Sequence, residues 1–530
     1  MFELFTMFWL LGCARAATHG SFAAVSGGYH KHVHEQCRFT RYSSLCADTM
    51  AGFVSGNQQV DVVSALINKT ILETNLPTSY FTQLSSNLDI SEAQHVNSIT
   101  GYCQELLSMS LKRLDQSLLA LQNSRNQNKH NIQTWMSAAL TYQQACKDSA
   151  DTHTLLSNRD LMGQIARKMD YLSQLGSNTL ALVNRMSGTS TVSRQLSERA
   201  RDFPNWLSAK DRRLLQAPEV KANVVVAKDG TGNYKTVSEA IAAASGGRFV
   251  IYVKAGVYNE KIQTNKDGIT LIGDGKYRTI IVGGGSVNGG SSMPGSATFT
   301  VTGDGFMARD IGFQNTAGPQ GEQALALHVA SDHSVFYRCS IAGYQDTLYA
   351  LSLRQFYREC DIYGTIDFIF GNAAAVFQSC TLSLRRPRSG SYNVILANGR
   401  SDPGQNTGFV IQNCRIVPSS DFSPLKHSFN SYLGRPWKQY SRAIVMESTI
   451  DDAIASAGWV EWPGQSAYSK SLYFAEYANA GPGAGTSGRV TWPGFHVLGR
   501  VEAAKFTVSQ FIAGNAWLPS TGVTFTSGLQ

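Results

Sequence analysis

Several features that would identify common classes of protein are missing from this chain of 530 residues. No apolar run reaches the roughly 18 to 20 residues of a membrane-spanning helix, so we expect no membrane span in the mature chain. Charged residues make up only 16% and hydrophobic residues 43%, which argues against wholesale disorder. There is no Lys/Arg-rich arm and no nucleic-acid recognition motif, so we expect no nucleic-acid partner. The net charge of +8 is spread over both halves, and in a secreted protein it would favour an acidic matrix or polymer.

Two familiar kinds of site are also missing. No Cys-x-x-Cys pair occurs, which argues against a zinc site, and the cluster His30, His32 and His34 is more typical of a flexible segment than of a metal-ligand set. The C-terminal half has no Gly-x-Ser-x-Gly motif and no other Ser, His or Cys nucleophile motif. Any catalysis in that half must therefore use other side chains.

Nine cysteines are an odd number for a secreted protein whose cysteines pair. Cys13 lies in an apolar stretch, residues 4–14, that ends in Ala-Arg-Ala, and small residues at alternate positions suit signal-peptidase cleavage. Removing a signal peptide of residues 1–16 leaves an even set of eight, which supports secretion. Glu3 and the lack of an early basic residue depart from the usual signal pattern, and a buried core helix starting at residue 4 is the alternative.

Residues 30–185 are predicted to form a helical domain. Apolar residues recur there at spacings of three and four, which places them on one side of a helix. They are Leu107, Leu111, Leu114, Leu118 and Leu121, and later Met162, Ile165, Met169 and Leu172. Asn68, in Asn68-Lys69-Thr70, is the one plausible N-glycosylation acceptor.

The helical domain contains four cysteines. Cys37 and Cys46 are close enough in sequence for a local hairpin clasp, whereas Cys103 and Cys146 could tie two antiparallel helices together. Residues 186–215 follow as a predicted linker that ends in Arg212-Arg213-Leu214-Leu215. Dibasic pairs occur elsewhere too, but this one lies where the helical pattern stops, in the kind of exposed segment where proteolysis concentrates. We therefore predict processing at Arg212 and Arg213.

The C-terminal half, residues 216–530, contains a repeat of Cys, any residue, then Ile or Leu. It begins at Cys339, Cys360, Cys380 and Cys414, in steps of 21, 20 and 34 residues. Short β-branched and aromatic runs broken by Gly, Asn and Asp surround it. A period near 20 residues with several short strands is the signature of a parallel β-helix, in which each period forms one coil.

The repeat brings two aspartates together. Asp346 and Asp367 each follow a repeat cysteine by seven residues, so they should occupy the same position on successive coils, about 4.8 Å apart. Two close carboxylates resist simultaneous ionisation, which yields one acid and one base or nucleophile. A structural ladder of aspartates at the turns is the alternative.

Other polar and aromatic residues point to the same place. Gln323 lies 22 residues before Gln345, one coil earlier, and the two side-chain amides could donate hydrogen bonds to a developing oxyanion. Arg435 could hold a carboxylate bidentately and keep it ionised. Aromatic residues near this group resemble a sugar-binding cleft; they are Tyr344, Tyr349, Phe370 and Trp437.

Five segments resemble, in order, the signature blocks of plant pectin methylesterases. They are GVYNE (256–260), QALAL (323–327), GYQDTLY (343–349), DFIFG (367–371) and LGRPW (433–437). The resemblance covers residues 216–530. The N-terminal half is similar to pectin methylesterase inhibitor domains, and the segment at 212–215 resembles the processing site between the two parts of such precursors.

The resemblance implies a fold and a reaction. The N-terminal domain would be an all-α four-helix bundle with two disulfides, and the C-terminal domain an all-β right-handed parallel β-helix that hydrolyses carboxylic esters without metal or cofactor. Asp367 would be the nucleophile on the C6 methyl ester of a galacturonate unit, and Asp346 the acid and later the base. Gln323 and Gln345 would stabilise the oxyanion.

The remaining implied roles concern binding and pairing. Arg435 would orient Asp367, and Tyr349, Phe370 and Trp437 would contact the sugar chain. Gln323 and Arg435 would also take part in substrate binding. Among the cysteines of the repeat, the resemblance favours a Cys380–Cys414 disulfide, and it leaves Cys339 and Cys360 either paired or free.

The resemblance also implies partners and a location. These are pectin, a subtilisin-like processing protease and proteinaceous pectin methylesterase inhibitors, for a monomer secreted to the cell wall. The helical half would either cover the active cleft until it is cleaved off, or only assist folding or retention. Rival interpretations are a pectate lyase or polygalacturonase, neither of which accounts for the two glutamines, and a non-catalytic wall protein.

Overall fold

The computed structural model describes residues 31–51, 61–76, 80, 90–124, 128–151, 159–186 and 221–530. The predicted signal peptide, His30, and the processing pair Arg212 and Arg213 lie outside these ranges. No helix within these ranges has both the length and the apolar character needed to cross a membrane.

The N-terminal part is built from helices packed side by side. They are α1 (Ser43–Ala51), α2 (Val62–Thr74), α3 (Ile90–Ser124), α4 (Lys129–Asp151) and α5 (Arg159–Arg185). Three of the five leucines of the predicted stripe are buried on α3, and all four apolar residues of the second stripe are buried on α5. The apolar spacing therefore identified the faces that form the helical core.

Two disulfides lie in the helical part. Cys37–Cys46 closes a short local loop, and Cys103–Cys146 links α3 to α4 across 43 residues of sequence, as the positions of the cysteines suggested. The candidate glycosylation residue Asn68 is exposed on α2.

The C-terminal part, residues 221–530, consists mainly of short strands. In chain order they are β1 (Val224–Val226), β2 (Phe249–Val253), β3 (Gly256–Asn259), β4 (Ile262–Thr264), β5 (Ile269–Gly273), β6 (Thr279–Gly283), β7 (Phe299–Val301), β8 (Met307–Arg309), β9 (Gly312–Asn315), β10 (Leu327–Val329), β11 (Ser334–Tyr337), β12 (Ser340–Ala342), β13 (Leu348–Ala350), β14 (Arg354–Arg358), β15 (Asp361–Gly364), β16 (Ile369–Gly371), β17 (Ala374–Gln378), β18 (Thr381–Leu384), β19 (Asn393–Asn398), β20 (Gly408–Gln412), β21 (Arg415–Pro418), β22 (Ser431–Pro436), β23 (Arg442–Met446), β24 (Thr449–Ile450), β25 (Tyr473–Tyr477) and β26 (Phe495–Val497). Short helices are α6 (Val237–Ala242), α7 (Arg500–Ala504) and α8 (Val508–Phe511), with 3₁₀ turns at Pro294–Ser296, Ser423–Ser428, Ser466–Lys470, Gly514–Ala516 and Leu518–Thr521.

The strands form three parallel sheets that run along one long axis. Sheet A has the order β1-β2-β5-β8-β11-β14-β17-β20-β23-β25-β26, sheet B has β3-β6-β9-β12-β15-β18-β21-β24, and sheet C has β4-β7-β10-β13-β16-β19-β22. Through the middle of the domain every third strand is a neighbour, so each coil contributes one strand to each sheet. This is the parallel β-helix that the 20-residue repeat predicted.

The cysteine repeat marks one corner of each coil. The residue before each repeat cysteine has left-handed backbone, with φ between 51° and 55° for Arg338, Glu359, Ser379 and Asn413. One such residue turns the chain from sheet A into sheet B and directs the next side chain inward. The four cysteines are accordingly buried in the core of the β-helix.

The expected Cys380–Cys414 disulfide is not formed. Both residues are free thiols, as are Cys339 and Cys360. Each sulfur makes backbone contacts instead: the Cys380 N–H donates to the Cys414 Sγ at 3.3 Å, and the Cys414 thiol lies 3.3 Å from the Phe377 carbonyl. The disulfide prediction was therefore wrong in this structure, because the stacked side chains point along the same inward direction and each thiol is already satisfied by neighbouring backbone.

The helical part lies against sheet C. A buried apolar cluster contains residues of α3, α4 and α5 together with Tyr349 of β13, Phe370 of β16, Ala397 of β19, and Leu325 and Ala330 on either side of β10. Polar contacts border it: Arg113–Asp304, Trp135–Asp332, Asn131–Arg354, Tyr142–Ser352, Thr141–Asn372 and Asp148–Lys438. Sheet C is therefore the face of the β-helix that the helices cover.

Candidate active site

The two candidate aspartates stand where sheet B turns into sheet C. The register of β13 and β16 pairs Leu348 with Ile369, which places Asp346 and Asp367 at equivalent positions on successive coils. Both have left-handed backbone, with φ of 60° and 50°. Asp tolerates this conformation better than most residues. A strained turn thus holds the two carboxyl groups side by side beneath the helical part, where both residues are at least nine-tenths buried.

The two carboxyl groups have different environments. Burial, and then the negative charge of Asp367, raise the pKa of Asp346 well above its ordinary value, against the opposing effect of Arg435. Burial also raises the pKa of Asp367, but Arg435 opposes that rise by its charge and by direct hydrogen bonds. Arg435 thus favours ionisation of Asp367, and the pKa of Asp346 is the one raised well above its ordinary value.

Arg435, on β22, makes the direct contact. Its Nε and Nη2 donate to the two oxygens of Asp367 at 2.8 and 2.5 Å, a bidentate pair. Its Nη1 donates to the Tyr392 hydroxyl at 2.8 Å, and its guanidinium carbon lies 4.2 Å from the centre of the Trp462 ring. The arginine is thus held from three directions and fixes the orientation of Asp367.

The two glutamines pair as expected from their spacing. Gln323 and Gln345 form a parallel bridge on neighbouring coils, and the Ala324 N–H donates to the Gln345 carbonyl at 3.2 Å. The side-chain oxygen of Gln323 is buried and has no hydrogen-bond partner in the structure. That oxygen can only accept a hydrogen bond, whereas the side-chain NH₂ groups of Gln323 and Gln345 are donors of the kind that stabilise a developing oxyanion.

One column of outward-facing residues runs along sheet C past this group, and we call it the cleft column. In register its members are Gln263, Thr300, His328, Tyr349, Phe370, Ala397 and Arg435. The Tyr349 and Phe370 rings stack 4.4 Å apart at 3°, and Trp437 meets the Phe370 ring edge-on at 6.0 Å. The structure therefore brings the three predicted sugar-contacting aromatics into one surface.

Three further side chains of this surface were not found from the sequence. His328 stacks on Tyr349 with ring centres 4.7 Å apart, while Tyr392 and Trp462 contact Arg435. The coil offset could have found His328, since 349 − 21 = 328. Tyr392 and Trp462 lie in longer loops outside the repeat, so a constant spacing between coils could not have identified them.

The helical part covers the cleft column. Tyr349 and Phe370 are at most 4% exposed and belong to the same buried cluster as Cys103 of α3 and Met169 of α5. Burial raises the pKa of Tyr349 well above its ordinary value, with Tyr102 from α3 adding to the rise. At the edge of the column, the Lys438 Nζ donates to the Asp148 carboxylate of α4 at 2.5 Å.

The arrangement has the parts of an acyl-transfer site. A carboxylate held by a guanidinium can attack a carbonyl carbon, a neighbouring carboxylic acid can protonate a leaving alkoxide, and amides can stabilise the oxyanion. Within the described ranges, no group of three or more His, Cys, Asp or Glu side chains is placed to hold a metal ion. Aromatic faces along the column suit the apolar faces of sugar rings.

Comparison with known proteins agrees with this geometry. The Pectinesterase family matches residues 223–515, and the Plant invertase/pectin methylesterase inhibitor family matches residues 31–182. Probable pectinesterase/pectinesterase inhibitor 54 of Arabidopsis thaliana is 48% identical over 95% of this chain and 94% of its own length. Pectinesterase 3 of Citrus sinensis is 43% identical over 94% of this chain and 89% of its own length.

A solved structure matches the β-helix alone. Pectin methylesterase from carrot is 53% identical, with a TM-score of 0.58, and the match covers 59% of this chain and 100% of the carrot chain. The whole solved carrot chain thus aligns with about three fifths of this chain, a share similar to that of residues 221–530. The chain belongs to the pectinesterase family: it is a pectin methylesterase with an inhibitor-like N-terminal region.

Proposed function

We propose that the methyl esters of pectin are hydrolysed through an acyl-enzyme on Asp367. An Asp367 oxygen attacks the C6 carbonyl carbon of a methylated galacturonate unit, and Gln323 and Gln345 donate hydrogen bonds to the oxyanion. The carbon–oxygen bond to the methoxy group then breaks, and the proton of Asp346 goes to the departing methanol. A water molecule next attacks the acyl-enzyme, gives its proton to Asp346 and releases a galacturonate carboxylate and free Asp367.

The observation that carries this proposal is the asymmetry of the carboxyl pair. Arg435 bonds both oxygens of Asp367, and no hydrogen bond joins it to Asp346. Burial, and then the negative charge of Asp367, raise the pKa of Asp346. One group is therefore ready to attack while the other is ready to give a proton.

Asp367→Asn tests this mechanism, since the amide keeps the shape of the side chain but cannot form the acyl-enzyme. Methanol release from methylated pectin should fall by at least about a hundredfold, the lower range for removal of a group that takes part in the chemical step. Asp361→Asn is the matched control, because Asp361 lies on the same coil but contacts Lys276 and Tyr277 on the outer face of sheet B. Methanol release that persists in Asp367→Asn would rule the mechanism out.

We further propose that the helical region keeps the enzyme inactive until the linker is cut. Its helices pack on Tyr349 and Phe370, where the sugar chain would bind. Assistance in folding or retention during secretion is the other role for this region, and it requires no contact with the cleft. The contact with the cleft therefore favours inhibition.

The same region would form the four-helix bundle of the inhibitor family. Among the described helices, α3 packs on α4, α4 on α5, α5 on α2 and α2 on α3, which closes a ring of four. The β-helix would be right-handed, the hand that nearly all parallel strand crossovers adopt.

The remaining parts of the proposal concern secretion, proteolytic processing and glycosylation. We propose secretion to the cell wall after removal of residues 1–16, with cleavage after Arg212 and Arg213 by a subtilisin-like protease and glycosylation at Asn68. The exposed position of Asn68 on α2 is compatible with a glycan. The released enzyme would act as a monomer on pectin and be a target for separate pectin methylesterase inhibitors.

A further inference from the structure

One buried polar side chain of the cleft column, His328, makes no hydrogen bond. His328 is 4% exposed, and neither ring nitrogen has a hydrogen-bond partner in the structure. Buried polar groups are nearly always hydrogen-bonded, and one that is not needs an explanation. Leu327 and Val329, its neighbours on β10, point into the core, so the alternation of the strand directs His328 outward into the cleft column.

The residues around His328 offer its ring nitrogens no hydrogen bond. Thr300 and Tyr349 flank it in register on the neighbouring coils, and Tyr349 offers only a ring face at 18° to the imidazole. Burial lowers the pKa of His328 to about 4, and no charged side chain contributes to that shift. The titratable groups that act on its neighbour Tyr349 are Tyr102 of α3, Asp148 of α4 and Asp346.

The position of His328 relates it to the bound sugar chain. It lies one coil from Tyr349 and two from Phe370, so about 5 and 10 Å along the column. The two other members of the column that can carry charge or stack, Arg435 and Phe370, lie on the far side of Tyr349. Arg435 is already bonded to Asp367 and Tyr392, which leaves His328 as the one cation-forming member of the column without a partner.

We propose that His328 is a substrate-binding residue that recognises the carboxylate of a non-esterified galacturonate unit near the reacting ester. This inference rests on the proposed function, because the sugar chain reaches His328 only after the helical region has left the column. The imidazole then returns to water, where its ordinary pKa is near 6.5, and at pH 5 it is a cation with two N–H donors. A methyl ester carries no charge and gains little there, so the site distinguishes a de-esterified unit from a methylated one.

The experiment uses the full chain with a specific protease sequence in place of Arg212 and Arg213, cut after folding. Binding of hexagalacturonate at pH 5 is measured by calorimetry on the cut, separated protein and on its variants. In His328→Phe the stacking surface remains but the donors are lost, and affinity should fall about tenfold, as expected for a hydrogen bond to a charged group. His328→Gln, which keeps one donor without charge, should fall between that variant and the parent.

The control is His427→Gln, which removes an exposed histidine that contacts only Asp452 and lies outside the column. It should bind hexagalacturonate like the parent. A second readout is KM on pectin of low and high methylation, where His328→Phe should raise KM on the low-methylated polymer more than on the high-methylated one. Circular dichroism establishes that both His328 variants are folded.

The possible results test the role of His328 separately from the proposed hydrolysis of pectin esters. Unchanged hexagalacturonate affinity in His328→Phe, or equal loss on methylated and unmethylated chains, overturns the proposal while the parent still releases methanol. If the cut parent itself releases no methanol from pectin, the proposed function fails. If the uncut chain binds hexagalacturonate as tightly as the cut protein, the helices do not cover the binding site at His328. Both the proposed covering of the cleft and the proposed role of His328 are then wrong.

Discussion

At the scale of single residues, the proposed reaction depends on keeping two neighbouring carboxyl groups in opposite protonation states. Asp346 and Asp367 are chemically identical and occupy equivalent turns on successive coils, so their surroundings must provide the difference. Arg435 supplies it by bonding only Asp367, and Tyr392 and Trp462 in turn hold Arg435. Activity should therefore rise with pH as Asp367 loses its proton and fall at higher pH as Asp346 loses its own.

Asp346→Asn should abolish the fall in activity at high pH. The amide has no carboxyl proton to give, so methanol release should drop by about 10² to 10⁴ and the remaining activity should no longer fall as the pH rises. Measuring methanol release between pH 4 and 9 for parent and variant checks this. A variant that keeps the alkaline decline would show that another group supplies the proton.

Tyr392→Phe should weaken the hold on Arg435. The lost hydrogen bond from Nη1 is of the kind that contributes about 1 kcal/mol, so kcat should fall roughly fivefold. Because Arg435 lowers the pKa of Asp367, a looser arginine should also move the acid limb of the pH profile to higher pH. Tyr432→Phe is the matched control, since Tyr432 meets Tyr392 by its ring alone. An acid limb that stays in place would assign Tyr392 to packing.

At the scale of elements, the repeat of Cys, any residue, then Ile or Leu was sufficient to predict the β-helix and the pairing of two distant turns. One offset of 21 residues governs the pairs Leu348–Ile369 and Ser340–Asp361, so it also aligned Asp346 with Asp367. The Cys380–Cys414 disulfide, which the family resemblance favoured, is not formed, although the repeat stacks the two residues on successive coils. The contacts of Arg435 with Tyr392 and Trp462 come from loops that the repeat does not describe.

The four cysteines of the β-helix should remain thiols in the folded protein. Because all are buried in its core, a thiol reagent should not react with them until the protein unfolds. Unreduced, denatured protein should then yield four thiols from residues 221–530, counted by alkylation and mass spectrometry. Two thiols instead of four would show that Cys380 and Cys414 are bonded after all.

The two disulfides of the helical region should differ in their effect on its stability. Chain entropy predicts about 4 kcal/mol for Cys103–Cys146, which closes 43 residues, and about 2.5 kcal/mol for Cys37–Cys46, which closes nine. Replacing each pair by serines and following thermal unfolding of the full chain should show the larger loss for Cys103–Cys146. Equal losses would contradict the dependence on loop length that chain entropy predicts.

At the scale of the whole molecule, the two parts share one buried surface over the cleft column. The sequence indicated two domains and a linker, and the inhibitor-like character of the first part. It could not indicate which face of the β-helix is covered, because that depends on how α3, α4 and α5 fit sheet C. The covering explains why residues suited to sugar binding, such as Tyr349 and Phe370, are buried in the uncut chain.

The same surface predicts how activity should respond to cutting and dilution. While the linker is intact, the helical region remains at a high effective concentration beside the cleft. After cutting, separation depends on total protein concentration. The fully active form should therefore require both a cut and dilution.

Methanol release by one preparation, before and after cutting at positions 212–213, is the most direct test. The protein is assayed on methylated pectin over a range of protein concentrations, with the Asp367→Asn form as the inactive reference. We predict that the uncut chain, at every concentration, is at least about tenfold less active per molecule than the cut and diluted enzyme, which corresponds to about 1.4 kcal/mol or more in favour of the covered cleft. Cut protein should gain specific activity as it is diluted. Uncut protein with the specific activity of the cut, diluted enzyme would contradict the account.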